Sequence, residues 1–126
     1  MDMNVNLPVD VRAPAQARHV LDDLHGHVPS EILERSRLAV SELVTNALQH
    51  AGLSADDHIR LIVRVADRRL RVEVKNPGAA FSADVQRPGP TSERGRGLLL
   101  VQESADRWGV IPHNGVGQWF EIDIPA

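Results

Sequence analysis

The chain has no cysteine, and only 3% of its 126 residues are aromatic. Without cysteine it can form neither a disulfide nor a zinc–thiolate site, and it has no thiol nucleophile. A reducing cytoplasm is therefore the expected location. The scarcity of aromatic residues predicts a core built from leucine, valine, isoleucine and alanine.

The sequence also lacks an excess of positive charge and a long apolar run. Its formal net charge is -3 and its pI is about 6.0, which argues against a general nucleic-acid-binding protein. No stretch is apolar enough to span a bilayer, and Met1-Asp2-Met3-Asn4 resembles no signal peptide. We expect one domain over residues 1–126, with no direct contact to nucleic acid or membrane.

Hydrophobic periodicity predicts an α/β (α+β) two-layer sandwich. Residues that alternate in polarity predict strands, and apolar residues at helical spacing predict helices. The expected sheet is mixed and mostly antiparallel, with helices on one face and water on the other. The predicted strands are 3–11, 59–65, 70–75, 108–111 and 118–124, and the predicted helices are 13–25, 30–51 and 97–105.

The second helix carries a carboxylate, Glu42, one turn before a carboxamide, Asn46. The two residues lie off the apolar stripe, and their spacing puts them on one face of the helix. Together they could polarise a water molecule and hold a hard cation such as Mg²⁺. The simpler interpretation is that both face solvent. The predicted buried stripe consists of Val40, Leu43, Val44, Ala47, Leu48 and Ala51.

A second polar position, Asn76, stands at the end of the strand 70–75, just before Pro77 and Gly78. A polar side chain at a strand end beside a loop is well placed to recognise the edge of a bound base. The alternative is an ordinary type II turn with Pro77 and Gly78 as its central residues.

A third element is Gly95-Arg96-Gly97, which leads into a predicted helix that begins with Leu98. Free backbone N–H groups at a helix start attract anions, and glycine lets a phosphate approach closely. A flexible hinge before the helix is the alternative. The sequence contains neither a GxxxxGK[ST] phosphate loop nor a GxGxxG dinucleotide motif.

Taken together, these three elements resemble the anti-sigma regulatory factor and serine-protein kinase family. Members of that family are small GHKL-type ATP-binding domains, related to the ATPase domain of histidine kinases. Residues 40–51 resemble the N box of the family, and residues 95–101, continuing to 109, resemble its G2 box. The resemblance covers nearly the whole chain and implies a GHKL fold with ATP held between helices and a lid.

The resemblance also implies site residues. Asn46 would be the Mg²⁺ ligand, and Glu42 the general base that activates the attacking hydroxyl. The lid would span about residues 77–94. His50, one turn beyond Asn46, could face the same pocket, although it could equally satisfy carbonyls at the helix end. The phosphate side would be lined by Gly95, Arg96, Gly97 and Leu98.

One position departs from the pattern of the family. Asn76 stands where the family normally carries an aspartate that accepts a hydrogen bond from the adenine amino group. An amide oxygen can still accept that bond, but without charge assistance. Gly78 is the single glycine of this region, where larger relatives have two.

The family resemblance leads to an ATP-dependent regulatory kinase as the first hypothesis. Such a protein would phosphorylate a serine or threonine of a small antagonist protein, and would sequester an RNA polymerase sigma factor until the antagonist displaces it. A homodimer is a further candidate assembly. The rival is a binding module without useful ATP affinity, and a fragment of a sensor histidine kinase is a third hypothesis.

Overall fold

The computed structural model describes residues 1–50, 53–76, 100–111 and 116–125. Two helices and a short 3₁₀ turn, Asp22–Leu24, precede most of the sheet. Residues 100–104 are helical as well. The elements are β1 (Asp2–Pro8), α1 (Ala13–Leu21), α2 (Ser30–His50), β2 (His58–Ala66), β3 (Arg69–Asn76), β4 (Arg107–Ile111) and β5 (Val116–Asp123).

The strands in the described ranges form one five-stranded sheet in the order β1-β2-β3-β5-β4. All four pairings within it are antiparallel. Helix α1 packs on α2, and α2 packs on β3 and β5. This arrangement confirms the predicted α+β architecture, in which helices cover one face of the sheet. The described strands pair only in the antiparallel sense, whereas the sequence predicted a mixed, mostly antiparallel sheet.

Alternation along the strands separates the core from the outer face. In β3 the even-numbered residues Leu70, Val72, Val74 and Asn76 are buried, whereas the odd-numbered residues between them are at most half-buried. Because successive side chains of a strand point to opposite faces, the buried set faces the helices. The core is largely aliphatic, as predicted, with Phe120 as its largest fully buried side chain.

Two boundaries differ from the sequence prediction by three residues or more. Strand β1 ends at Pro8 rather than at residue 11, since Asp10 forms a turn in which its carboxylate accepts a hydrogen bond from the Arg12 backbone N–H at 2.8 Å. Helix α1 ends at Leu21 rather than at residue 25, because the chain tightens into the 3₁₀ turn before Gly26 takes a φ of +87°.

The β2–β3 hairpin closes through a two-residue turn, Asp67-Arg68. Both residues have positive φ, 54° and 57°, which is the backbone of a type I′ turn. Ala66 pairs with Arg69 across this turn, so the turn sets the register of the hairpin. Among the helices that the structure describes, none is both long and apolar enough to cross a bilayer.

The outer face of the sheet carries a network of ion pairs centred on Glu121. Its carboxylate accepts hydrogen bonds from Arg71 and Arg107, each at 2.9 Å. The Arg71 guanidinium also lies 4.4 Å from the ring centroid of Trp119. Burial disfavours the charged form of Glu121, but the bonds from Arg107 and Arg71 outweigh it and hold the pKa of the carboxyl below its ordinary value.

We expect Glu121→Gln to lower the free energy of unfolding by about 1 kcal/mol at neutral pH. A carboxyl with a lowered pKa in the folded state stabilises the fold above its ordinary pKa, and this contribution is lost as the pH falls through the folded-state value. Urea denaturation at neutral pH and at about pH 3 tests this expectation. The exposed Glu103→Gln is the control. A loss that is equally large at both pH values would contradict the assignment.

Candidate nucleotide site

Helix α2 provides the scaffold of the candidate site. The predicted stripe is buried at Val40, Leu43, Val44 and Ala47 and half-buried at Leu48, while Ala51 lies outside the described residues. This apolar stripe fixes the rotation of α2 about its axis. The positions of Glu42 and Asn46 relative to the sheet follow from that rotation.

Asn46 is buried, with 4% of its surface exposed. The interpretation that it faces solvent is therefore wrong. Its Nδ2 has no hydrogen-bond partner within the part of the chain that the structure describes. A buried amide nitrogen without a partner is unusual, because buried polar groups are nearly always hydrogen-bonded.

Glu42 lies one turn before Asn46 and is half-buried. Its partial burial raises the pKa of the carboxyl above the ordinary value, because desolvation disfavours the charged form. The raised pKa makes the carboxylate a stronger proton acceptor, which is the property required of a general base. The neighbouring Ser41 accepts a hydrogen bond from Arg18 of α1 at 2.6 Å, which ties this part of α2 to α1.

Asn76 ends β3 on the same face of the sheet as Val72 and Val74. It is 4% exposed, and neither Nδ2 nor Oδ1 has a hydrogen-bond partner among the described residues. Leaving a buried amide group unpaired costs about 1–3 kcal/mol. Within the described part of the chain, α2 and the strand that it covers thus each carry a buried carboxamide with at least one unpartnered atom.

Asn76 also borders a cavity of about 460 Å³. Neither Glu42 nor Asn46 is among the described residues that line it. Its other described lining residues are polar, with both signs of charge: Asn6, Asp56, Asp57, His58, Arg60 and Lys75.

Sequence reasoning did not single out Arg35, which joins α2 to the helical residues 100–104. Its Nε donates to the Ser104 carbonyl at 2.8 Å, and its Nη2 lies 3.5 Å from the Asp106 carboxylate. Because Arg35 and Ser104 are 69 residues apart, no local pattern could have revealed this contact. It connects the helix that carries Glu42 and Asn46 to the end of the helix that follows the Gly95–Gly97 motif.

Several predicted site residues lie outside the described part of the chain. They are Gly78, Gly95, Arg96, Gly97 and Leu98, together with the side chain of His50. The predicted lid, residues 77–94, and the start of the predicted helix at residue 97 lie there too. Their roles stay predictions.

The described residues hold no group of three or more His, Cys, Asp and Glu side chains that could bind a metal ion by themselves. Mg²⁺ rarely uses such a cage in nucleotide sites. It takes one or two protein oxygens and completes its shell with phosphate oxygens and water. The side-chain oxygen of Asn46 is suited to be one such ligand.

Comparison with known proteins agrees with this architecture. Residues 7–119 match the family described as histidine kinase-like ATPase domain. The chain is 27% identical over 129 residues to a serine-protein kinase RsbW of Staphylococcus epidermidis, an alignment that covers 86% of this chain and 81% of that protein. The RsbW proteins of strains ATCC 12228 and ATCC 35984 of the same species match equally well.

A solved structure shows the same fold. The crystal structure of the RsbU and RsbW domains of Rv1364c from Mycobacterium tuberculosis superposes with a TM-score of 0.74 at 15% identity. The match covers 98% of this chain, which spans only 32% of the length of that chain. With the family match over residues 7–119, these findings show that the chain belongs to the histidine kinase-like ATPase domain family.

Proposed function

We propose that this protein is an ATP-binding regulatory protein, an anti-sigma factor with serine/threonine-protein kinase activity towards an anti-sigma antagonist. The observation that supports the ATP site most directly is a pair of buried carboxamides, Asn46 and Asn76. The Asn46 Nδ2 and both amide atoms of Asn76 lack partners among the described residues. The kinase activity and the kind of partner are supported by the similarity to the serine-protein kinase RsbW of Staphylococcus epidermidis.

The residues present fit a nucleotide and its cation. The Asn46 oxygen would hold Mg²⁺. The Asn46 Nδ2, which has no partner among the described residues, could donate to a phosphate oxygen. When bound, Mg²⁺ would neutralise the charge that develops on the phosphate oxygens. Gly95, Arg96 and Gly97 would add backbone N–H groups and one positive charge on the phosphate side.

The chemistry assigned to the chain itself is positioning and proton transfer. In the proposed reaction, the bond between the γ-phosphorus and its bridging oxygen breaks, and a new bond forms to the substrate hydroxyl oxygen. Glu42 accepts the hydroxyl proton, and ADP leaves. The raised pKa of Glu42 suits this role, since a stronger base takes the proton more readily.

We expect Asn46→Ala to weaken Mg-ATP binding by about 10- to 100-fold, because the cation loses a protein ligand. Isothermal titration calorimetry with and without Mg²⁺ measures this change. Asn4→Ala, an exposed asparagine of β1, is the matched control. If Asn46→Ala binds Mg-ATP as the unaltered protein does, the assignment of Asn46 fails.

A second candidate function is a non-catalytic module that acts by occupying its partner. The amide of Asn76, in place of the carboxylate usual in the family, favours this alternative. Titration with Mg-ATP separates the two functions. Saturable binding supports the kinase, whereas no binding by the unaltered protein and recovery of binding in Asn76→Asp support the module.

The partners are an RNA polymerase sigma factor, an antagonist protein, or both, and the protein could act as a homodimer. A pull-down from native cell extract, with and without ATP, tests this part of the proposal. Recovery of a sigma factor whose retention depends on ATP would support it. A retained set of proteins without a sigma factor or an antagonist would contradict it.

A further inference from the structure

Within the part of the chain that the structure describes, Arg35 makes the only side-chain hydrogen bonds between α2 and residues 100–111. Its Nε donates to the Ser104 carbonyl at 2.8 Å, and its Nη2 lies 3.5 Å from a carboxylate oxygen of Asp106. Ser104 is the last helical residue of 100–104 and is 5% exposed. Because no further helical N–H can reach a carbonyl of the last turn, Arg35 takes the place of that donor.

Asp106 fastens the same end of this helix to the sheet. Its backbone N–H donates to the Glu121 carbonyl at 2.9 Å. The carboxylate oxygen that does not face Arg35 accepts a hydrogen bond from the Asp123 backbone N–H at 2.6 Å. Arg35 therefore ties α2 to a helix end that β5 already holds in place.

The face of α2 that carries Arg35 is also the face that carries Glu42 and Asn46. The three residues stand at i, i+7 and i+11, which brings them to nearly the same angle around the helix. Arg35 lies about 10 Å from Glu42 along the helix axis, at 1.5 Å per residue. Its effect on the proposed reacting groups therefore acts through the position of the helix that it holds.

We infer that Arg35 is a positioning residue for the nucleotide phosphates. This inference rests on the proposed function, in which Asn46 holds Mg²⁺ and the Gly95–Gly97 motif lies on the phosphate side. The phosphates then bridge α2 and the helix that follows the motif, so their binding depends on the spacing of these two elements. Arg35 fixes that spacing, because it ties the end of the second element to the first.

The guanidinium suits this role because its planar fork carries donors for two acceptors at once. Arg35 meets a helix carbonyl with Nε and a carboxylate with Nη2. A lysine at this position would keep the positive charge and lose the fork. A glutamine would lose both the charge and the fork. These two substitutions therefore separate the contribution of the charge from that of the geometry.

The test measures the dissociation constant for Mg-ATP by calorimetry. We expect Arg35→Gln to weaken binding about tenfold, and Arg35→Lys to recover part of this loss. Arg37→Gln is the matched control and should bind as the unaltered protein does. Arg37 is also an arginine of α2, but it pairs with Asp22 at 2.9 Å, away from residues 100–111. Circular dichroism verifies that each variant is folded.

Combination with Asn46→Ala distinguishes positioning from a general loss of stability. Arg35 and Asn46 lie about 16 Å apart along α2. They share no partner among the described residues, and substitutions so far apart normally have independent effects. If both act on the same phosphates, the double variant should lose clearly less affinity than the product of the two single losses. Arg37→Gln combined with Asn46→Ala should give the plain product.

The outcomes separate this inference from the proposed function. If Mg-ATP binds but Arg35→Gln and Arg37→Gln behave alike, or if the losses in Arg35→Gln and Asn46→Ala multiply, the positioning role is overturned and the ATP site stands. Full recovery of affinity in Arg35→Lys would also overturn it, because the charge alone would then be sufficient. If the unaltered protein does not bind Mg-ATP, both are overturned.

Discussion

Glu42→Gln is expected to lower kcat for phosphoryl transfer to the antagonist by about 10²- to 10⁴-fold, the usual contribution of a general base. The carboxamide has the shape of the carboxylate but cannot accept the hydroxyl proton. The dissociation constant for Mg-ATP should change little, because Asn46 and Asn76 are intact. A radiolabel transfer assay and a parallel binding titration separate the two parameters. Phosphoryl transfer by Glu42→Gln at the rate of the unaltered protein would show that Glu42 is not the general base.

The stability of the same variant provides an internal control. Since the folded state raises the pKa of Glu42, the folded protein holds this proton more tightly than the unfolded chain does. The Glu42 contribution therefore becomes less favourable as the pH rises from the ordinary carboxyl value through the raised one. Glu42→Gln removes this dependence, so at neutral pH the variant should be at least as stable as the unaltered protein. A variant that is inactive because it is unfolded would therefore be recognised by its lowered stability.

Phe120→Ala is expected to have the largest effect on stability. Phe120 is fully buried on β5, between Val72 of β3 and Trp108 of β4. Truncation leaves a cavity in an otherwise aliphatic core and costs about 3–5 kcal/mol. A domain of this size is stable by only about 5–15 kcal/mol, so the midpoint of thermal unfolding should fall by more than about 10 °C.

The matched control for this truncation is Val11→Ala. Val11 is 91% exposed, so removing its methyl groups should change the free energy of unfolding by less than about 0.5 kcal/mol. Differential scanning calorimetry measures both variants. Similar midpoints for Phe120→Ala and Val11→Ala would contradict the placement of Phe120 in the core.

Local patterns in the sequence were sufficient to predict most of the fold. Alternation predicted β2 and β3, and helical spacing predicted α2, which begins at Ser30 as expected. Such patterns work because a strand or helix with one apolar face must bury that face. The ends of β1 and α1 were less predictable, since they depend on a turn at Asp10 and a 3₁₀ turn at Asp22–Leu24.

The sequence by itself also placed the chemistry-bearing residues on their elements, with Glu42 and Asn46 on a helix and Asn76 at a strand end. It could not decide their environment, because burial is set by the elements that pack around a residue. Only the tertiary structure buried Asn46 and Asn76 and raised the pKa of Glu42. It also left the Asn46 Nδ2 and both amide atoms of Asn76 without partners among the described residues. The contact of Arg35 with Ser104 likewise depends on two segments that meet only when the chain folds.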